Sequence, residues 1–159
     1  MPRSALFVYI NDHIAGSVAA LELIDHLISS HADHPLEAFL LDLQREIKAD
    51  QEVLRELLGD ANQHESWFRK LAGWMTEKFA RSKIKIAGEQ IGGLGLVQAL
   101  EMLALGIRGK QLLWRALGTS KWPALRNVDL ARLEQRAIEQ QERVEEKRLA
   151  AARKAFTSQ

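Results

Sequence analysis

The sequence predicts an all-α protein folded as one four-helix bundle. Apolar residues recur at steps of three and four through most of the chain, which is the spacing of amphipathic helices, and no stretch alternates with the period of a strand. The three prolines, Pro2, Pro35 and Pro123, all fall at expected helix boundaries. A chain of 159 residues is long enough to bury a sizeable core, so we assign residues 1–159 to a single helical-bundle domain.

Most of the chain is assigned to four long helices. Their predicted ranges are 4–30, 35–58, 94–117 and 129–156. The loop between the first two is short, so these helices should lie antiparallel. Pro35 suits the first position of the second helix, Asp33 or His34 should cap it, and Gly59 should end it. Asp129 is expected to cap the last helix.

Residues 59–92 form a long connection between the two hairpins. A shorter helix is predicted at 64–83, with aromatic side chains among basic ones. Its candidate surface residues are Trp67, Arg69, Lys70, Trp74, Lys78 and Arg81. We interpret this helix as a lid on the bundle, and the alternative is that residues 64–86 lie on an anionic membrane surface. At the other end of the chain, the tail 156–159 is expected to fray.

Acidic side chains interrupt the apolar seams of the predicted helices. Asp50 stands where the series around it requires an apolar residue, Glu46 lies one turn earlier, and Glu101 falls in another inward series. In the first helix, Glu22 shares a face with small residues and with His26. We therefore expect four carboxylates from three helices to point inward, and each must be compensated because an unpaired buried carboxylate is costly.

Two hairpins joined by one long connection resemble the ferritin-like superfamily. Di-metal members of that superfamily use one Glu from each of two helices and a Glu-x-x-His motif from each of the other two. Glu22 and Glu101 match the lone-Glu positions. Glu46 matches the Glu of the second bundle helix, but Ala49 stands where that motif has its His, and the last helix has no histidine. The resemblance therefore implies a diverged member in which both Glu-x-x-His motifs are incomplete.

Two ways of compensating the carboxylates follow. Basic and amide side chains would neutralise them in a buried polar network, whose candidate members are Arg136, Gln140, Gln141, Arg148 and Lys110. Alternatively, iron or manganese would bind a mostly oxygen ligand set, whose candidate members are Glu22, Glu46, Asp50, Glu101 and His26. The polar network is the preferred interpretation, so no cofactor is expected.

Composition removes several functional classes. Without cysteine there are no disulfides, thiolate zinc sites or cysteine nucleophiles. No stretch approaches the about 20 apolar residues of a membrane span, and the first residues lack a signal-peptide cleavage site, so a cytoplasmic location is expected. Residues 1–60 hold four basic and eleven acidic side chains, against eighteen and ten in the remainder. This asymmetry favours self-association or attraction to an anionic surface, and it is too small to indicate nucleic acid.

The sequence contains no recognisable catalytic or phosphate-binding motif, and it points to no particular small molecule. We predict a non-enzymatic protein that acts through homo-oligomerisation or partner binding. The first alternative is a carboxylate-bridged di-iron or di-manganese oxidase or storage protein. The second is a peripheral membrane protein that uses residues 64–86.

Overall fold

The computed structural model describes residues 4–59 and 93–157, and within these ranges the chain is helical and contains no strand. This confirms the predicted all-α class. The long helices are α1 (Ala5–Ser30), α2 (Pro35–Leu58), α3 (Leu94–Leu117) and α4 (Leu130–Thr157), and a short 3-10 helix spans Pro123–Asn127. None of the described helices has both the length and the apolar character needed to cross a membrane. The helix predicted at 64–83, with the surface residues from Trp67 to Arg81, lies outside the described residues.

The helix ends follow from local side-chain chemistry. The His34 imidazole accepts a hydrogen bond from the backbone N–H of Leu36 at 3.1 Å and so caps α2. Gly59, at φ +52°, ends the same helix in a conformation that side-chain-bearing residues rarely adopt. The Asp129 carboxylate accepts from the N–H of Arg132 at 2.9 Å, which is the predicted cap of α4. That helix continues to Thr157, so the first two residues of the tail expected to fray are helical.

Each hairpin is antiparallel, and the two hairpins pack side by side. In the first, the Gln51 amide donates to Ser17 Oγ at 2.7 Å and the Gln44 amide donates to Asp25, so residues later in α2 lie beside residues earlier in α1. In the second, the Arg115 Nε–H donates to Glu134 at 2.8 Å, so the end of α3 lies beside the beginning of α4. Contacts of α1 with α3, and ion pairs between α2 and α4, give the order α1, α2, α4, α3 around the bundle.

The helix directions follow from what meets at one end of the bundle. A cavity there is lined by His34, from the loop between α1 and α2, by Gly93, which precedes α3, and by Ala155, near the end of α4. So α1 and α4 run towards this end, and α2 and α3 run away from it. Although α2 and α3 are consecutive long helices of the described chain, they are parallel, and α2 ends at the end of the bundle opposite to where α3 begins.

One apolar core runs between the four helices. Its fully buried large side chains include Ile14, Leu40, Leu43, Leu100, Leu103 and Trp114. Each such aliphatic side chain stabilises the fold by roughly 1.5–3 kcal/mol relative to an exposed position. The core fixes the relative heights of the helices and thereby brings polar side chains from three of them together in the interior of the bundle.

Candidate functional site

A buried ion cluster surrounds Asp50 of α2 in the interior of the bundle, nearer the end where α2 and α3 finish and α4 begins. The Asp50 side chain is 2% exposed, so its charge must be compensated inside the protein. Lys110 of α3 donates from Nζ to Asp50 Oδ2 at 2.5 Å, and the guanidinium of Arg136, on α4, donates to Oδ1. Both carboxylate oxygens are thus engaged by cations of this chain, and the cluster ties three helices together.

Gln140 links this cluster to a second, shallower ion pair. Its amide oxygen accepts from Lys110 Nζ, and its amide nitrogen donates to Glu46 Oε2 at 2.9 Å. Arg143 donates to the same Glu46 oxygen at 2.5 Å. Burial lowers the pKa of Lys110, and the Asp50 charge opposes part of that shift. The structure therefore brings together five of the predicted residues, namely Glu46, Asp50, Lys110, Arg136 and Gln140.

The other predicted residues lie elsewhere. The Glu101 side chain is 58% exposed, so the inward orientation expected for it is wrong. Glu101 lies beside the buried stripe of α3, where its nearest described cation, on Arg148, is 3.9 Å away. Arg148 itself forms two 2.7 Å hydrogen bonds with Glu145 of its own helix. Gln141 is half-buried, and its Oε1 has no hydrogen-bond partner among the described residues.

The predicted metal ligands are not gathered into one coordination sphere. Glu22 and His26 are half-buried on α1. Within residues 4–59 and 93–157, no group of three or more histidine and carboxylate side chains is arranged to hold a metal ion. The two acids that do lie in the interior, Glu46 and Asp50, are surrounded by lysine and arginine, whose charges oppose a divalent cation. This donor set, as arranged, does not fit the di-metal centre that the ferritin-like resemblance implies.

A cavity of about 340 Å³ adjoins the buried cluster, between α1, α2 and α3. We call it the α1–α3 cavity. Most of its surface is apolar, and Asp50 and Lys110 form part of its wall. Gly16 and Gly106 line it as well, and a Cβ built on either glycine would meet no atom of the described structure within 4 Å. The small residues of two facing helices therefore leave the cavity open.

His13 and Tyr9 form an aromatic pair on the α1 side of this cavity. Their ring centroids are 4.7 Å apart in an edge-to-face arrangement. His13 is half-buried, and burial lowers its pKa because the imidazolium loses hydration, while the charge of Asp12 partly opposes this shift.

The depressed pKa of His13 predicts a specific pH dependence of stability. The contribution of His13 to the free energy of unfolding is complete above the unfolded-state pKa of about 6.5. It is lost as the pH falls through the lower folded-state pKa. Denaturant unfolding at pH 7.5 and pH 5.5 should show a smaller loss of stability for His13→Gln than for the wild type. His26→Gln is the matched histidine control. A loss of stability in His13→Gln as large as that of the wild type would contradict the assignment.

The solvent-facing side of α3 carries two exposed leucines seven residues apart. Leu105 is 69% exposed and Leu112 is 45% exposed. The spacing places them on one face, and Glu101 and Arg108 flank Leu105 on the same side of the helix. We call these four residues the α3 outer face. This face was not predicted, although two leucines at heptad spacing among charged residues can be recognised in the sequence.

No protein-family model matches the sequence, and no curated protein or solved structure matches it significantly.

Proposed function

We propose that this chain is a diverged ferritin-like bundle that lacks a metal centre and acts without catalysis, as a homodimer assembled through the α3 outer face. The helix directions support the architecture. Parallel α2 and α3, each paired with an antiparallel partner, are what a single long crossover between two hairpins produces.

The hydrogen bonds of Asp50 support the part of the proposal that excludes a metal centre. In a carboxylate-bridged centre the acidic side chains hold the cations, whereas here both Asp50 oxygens accept hydrogen bonds from Lys110 and Arg136. The protein supplies its own positive charges where such a centre would place metal ions.

Elemental analysis tests this part directly. The protein should be purified without chelators and without a metal-affinity column. Iron and manganese are expected far below one atom per chain. A near-stoichiometric content of either metal would overturn the metal-free assignment and support the oxidase or storage alternative.

The exposed leucines carry the assembly part of the proposal. An apolar face on a solvent-exposed helix is stabilised by covering it, and a second copy offers the same face. The charges agree with a two-fold arrangement of antiparallel α3 helices. Glu101 lies four residues before Leu105 and Arg108 three residues after it, so two copies crossing at Leu105 bring Glu101 close to Arg108 of the partner subunit.

Sedimentation velocity on matched variants tests the assembly. The wild type should sediment as a dimer, and Leu105→Glu should sediment as a monomer because the new charge would be buried at the interface. Leu41→Glu is the control, since Leu41 is another exposed leucine, 42% exposed, on α2 and away from the α3 outer face. A wild type that stays monomeric at high protein concentration, or a Leu105→Glu variant that remains dimeric, would refute this interface.

A charge exchange probes the same interface in a second way. Glu101→Arg and Arg108→Glu should each weaken the dimer, because each places like charges opposite one another. The double variant should restore association. Equal dissociation constants for all four proteins would show that these charges do not face each other across a two-fold axis.

A further inference from the structure

The α1–α3 cavity has the size and lining of a small-molecule site. Its volume of about 340 Å³ is within the range of ligand pockets. Ile47, Leu54, Ile107 and Leu113 contribute to a mostly apolar wall, in which the hydrogen-bonded pair of Lys110 and Asp50 also stands. A ligand with a hydrocarbon body and one polar end matches this distribution.

The buried ion cluster beside the cavity carries a net positive charge. Asp50 is a single carboxylate engaged by two cations, Lys110 and Arg136, and the neighbouring Glu46 is already paired with Arg143. Of these two cations, Lys110 lines the cavity, together with the carboxylates of Asp50 and Asp12. Because the Asp50 charge is shared with Arg136, the charge of Lys110 is not fully neutralised and favours a ligand that places a negative charge beside its ammonium group.

Lys110 also has hydrogen-bonding capacity to spare. An ammonium group has three N–H donors. Among the described residues, Lys110 Nζ has two acceptors, Asp50 Oδ2 and Gln140 Oε1. With a side chain only 12% exposed, the lysine has little bulk water with which to satisfy the third donor. A ligand oxygen placed in the cavity would accept this remaining hydrogen bond.

We propose that the α1–α3 cavity binds a small monocarboxylate with a hydrocarbon body, whose carboxylate accepts a hydrogen bond from Lys110 Nζ. The other polar groups of the cavity agree with this orientation. Ser17 and Gln51 are hydrogen-bonded to each other. Asp12 is exposed, so water screens its repulsion of an anion bound at Lys110. The hydrocarbon body then packs against the apolar side chains of the lining, such as Ile47, Leu54 and Ile107.

Calorimetric titration with octanoate, and in parallel with octan-1-ol, tests the proposal on the full chain. One octanoate molecule should bind per chain, with an affinity about tenfold or more higher than that of octan-1-ol. The difference is expected because only the carboxylate forms a charge-assisted hydrogen bond with Lys110. Lys110→Met should remove this preference and leave octan-1-ol binding largely unchanged. Absence of octanoate binding, or equal affinity for the two ligands in the wild type, would overturn the proposal.

A cavity-filling variant keeps the test decisive if Lys110→Met folds poorly. Gly106→Leu adds a side chain where the described structure leaves space, and it should abolish the binding of both ligands. Ala38→Leu is the matched control, because Ala38 is exposed on α2 and does not line the cavity, and it should bind as the wild type does. Octanoate binding that survives in Gly106→Leu would show that the ligand binds elsewhere, and would refute the site.

Discussion

Replacing Asp50 with Ala is expected to destabilise the protein by about 3 kcal/mol or more. The substitution leaves Lys110 and Arg136 in the bundle interior without their shared anion, and an uncompensated buried charge costs about 3–5 kcal/mol. Arg136 is 29% exposed, so part of its charge will be rehydrated and the cost should fall towards the lower end. In a domain of this size, such a loss lowers the melting temperature by roughly 10 °C. Urea unfolding followed by circular dichroism measures it.

Glu101→Ala is the matched control for Asp50→Ala. Both substitutions remove one carboxylate, but the Glu101 side chain is 58% exposed, so its loss should change stability by no more than about 0.5 kcal/mol. Equal effects of the two substitutions would mean that Asp50 is not the anion that neutralises the central cations.

Trp114→Ala should cost about 3–5 kcal/mol, the range for removing a large aromatic side chain from a core. Trp114 is 1% exposed and is the largest of the fully buried side chains in the described structure. Its indole N–H is buried and has no acceptor among the described residues, which is itself a cost of about 1–3 kcal/mol.

Trp114→Phe separates these two effects. Phenylalanine keeps most of the ring volume and removes the unsatisfied donor, so its cost should be less than half that of alanine. Chemical denaturation of both variants measures the difference. If phenylalanine is as damaging as alanine, the indole N–H has a hydrogen-bond acceptor after all, and the orphan-donor interpretation fails.

The burial of Asp50 could be predicted from the sequence because α2 has a sharp boundary between its apolar and polar faces. Leu43, Ile47, Leu54 and Leu57 fix one stripe, and Asp50 falls within it. The apolar residues of α3 follow the same pattern, because Val97, Leu100, Leu103 and Ile107 are all buried. Glu101 was assigned to that inward series and is nevertheless 58% exposed, because α3 is more apolar than α2 and its buried stripe has a less sharp edge.

Hydrophobic periodicity does not identify the buried face of α1, because this helix is apolar on most of its circumference. Val18 and Leu21 continue the three- and four-residue spacing of Ile14 but are only half-buried, whereas Ala15 and Leu23 are fully buried. When apolar residues surround a helix, periodicity cannot select one face. The α1–α3 cavity was not predicted because it depends on the distance between α1 and α3. The hydrophobic pattern of each helix does not determine that distance.

The sequence predicted the types of side chain that neutralise the buried acids, but it did not predict which residue pairs with which acid. Arg148, placed in the network from its sequence, binds Glu145 instead, while Arg143, which was not proposed, binds Glu46. Which cation meets which acid depends on the relative heights of α2 and α4, and core packing sets those heights. A signal for Arg143 was nonetheless present, because Arg136, Gln140 and Arg143 follow one another at helical steps of four and three.

Gln140 has a consequence for how the hairpins dock. Its amide oxygen accepts a hydrogen bond from Lys110, and its amide nitrogen donates one to Glu46. The side chain therefore fits between a cation on one side and an anion on the other. The side chains about one turn away along α4 are Arg136 and Arg143. Slippage of α4 by one turn in either direction would bring an arginine to the place of Gln140, directly against Lys110. The two hairpins are therefore electrostatically barred from the neighbouring misalignments, which an uninterrupted leucine seam would tolerate far better.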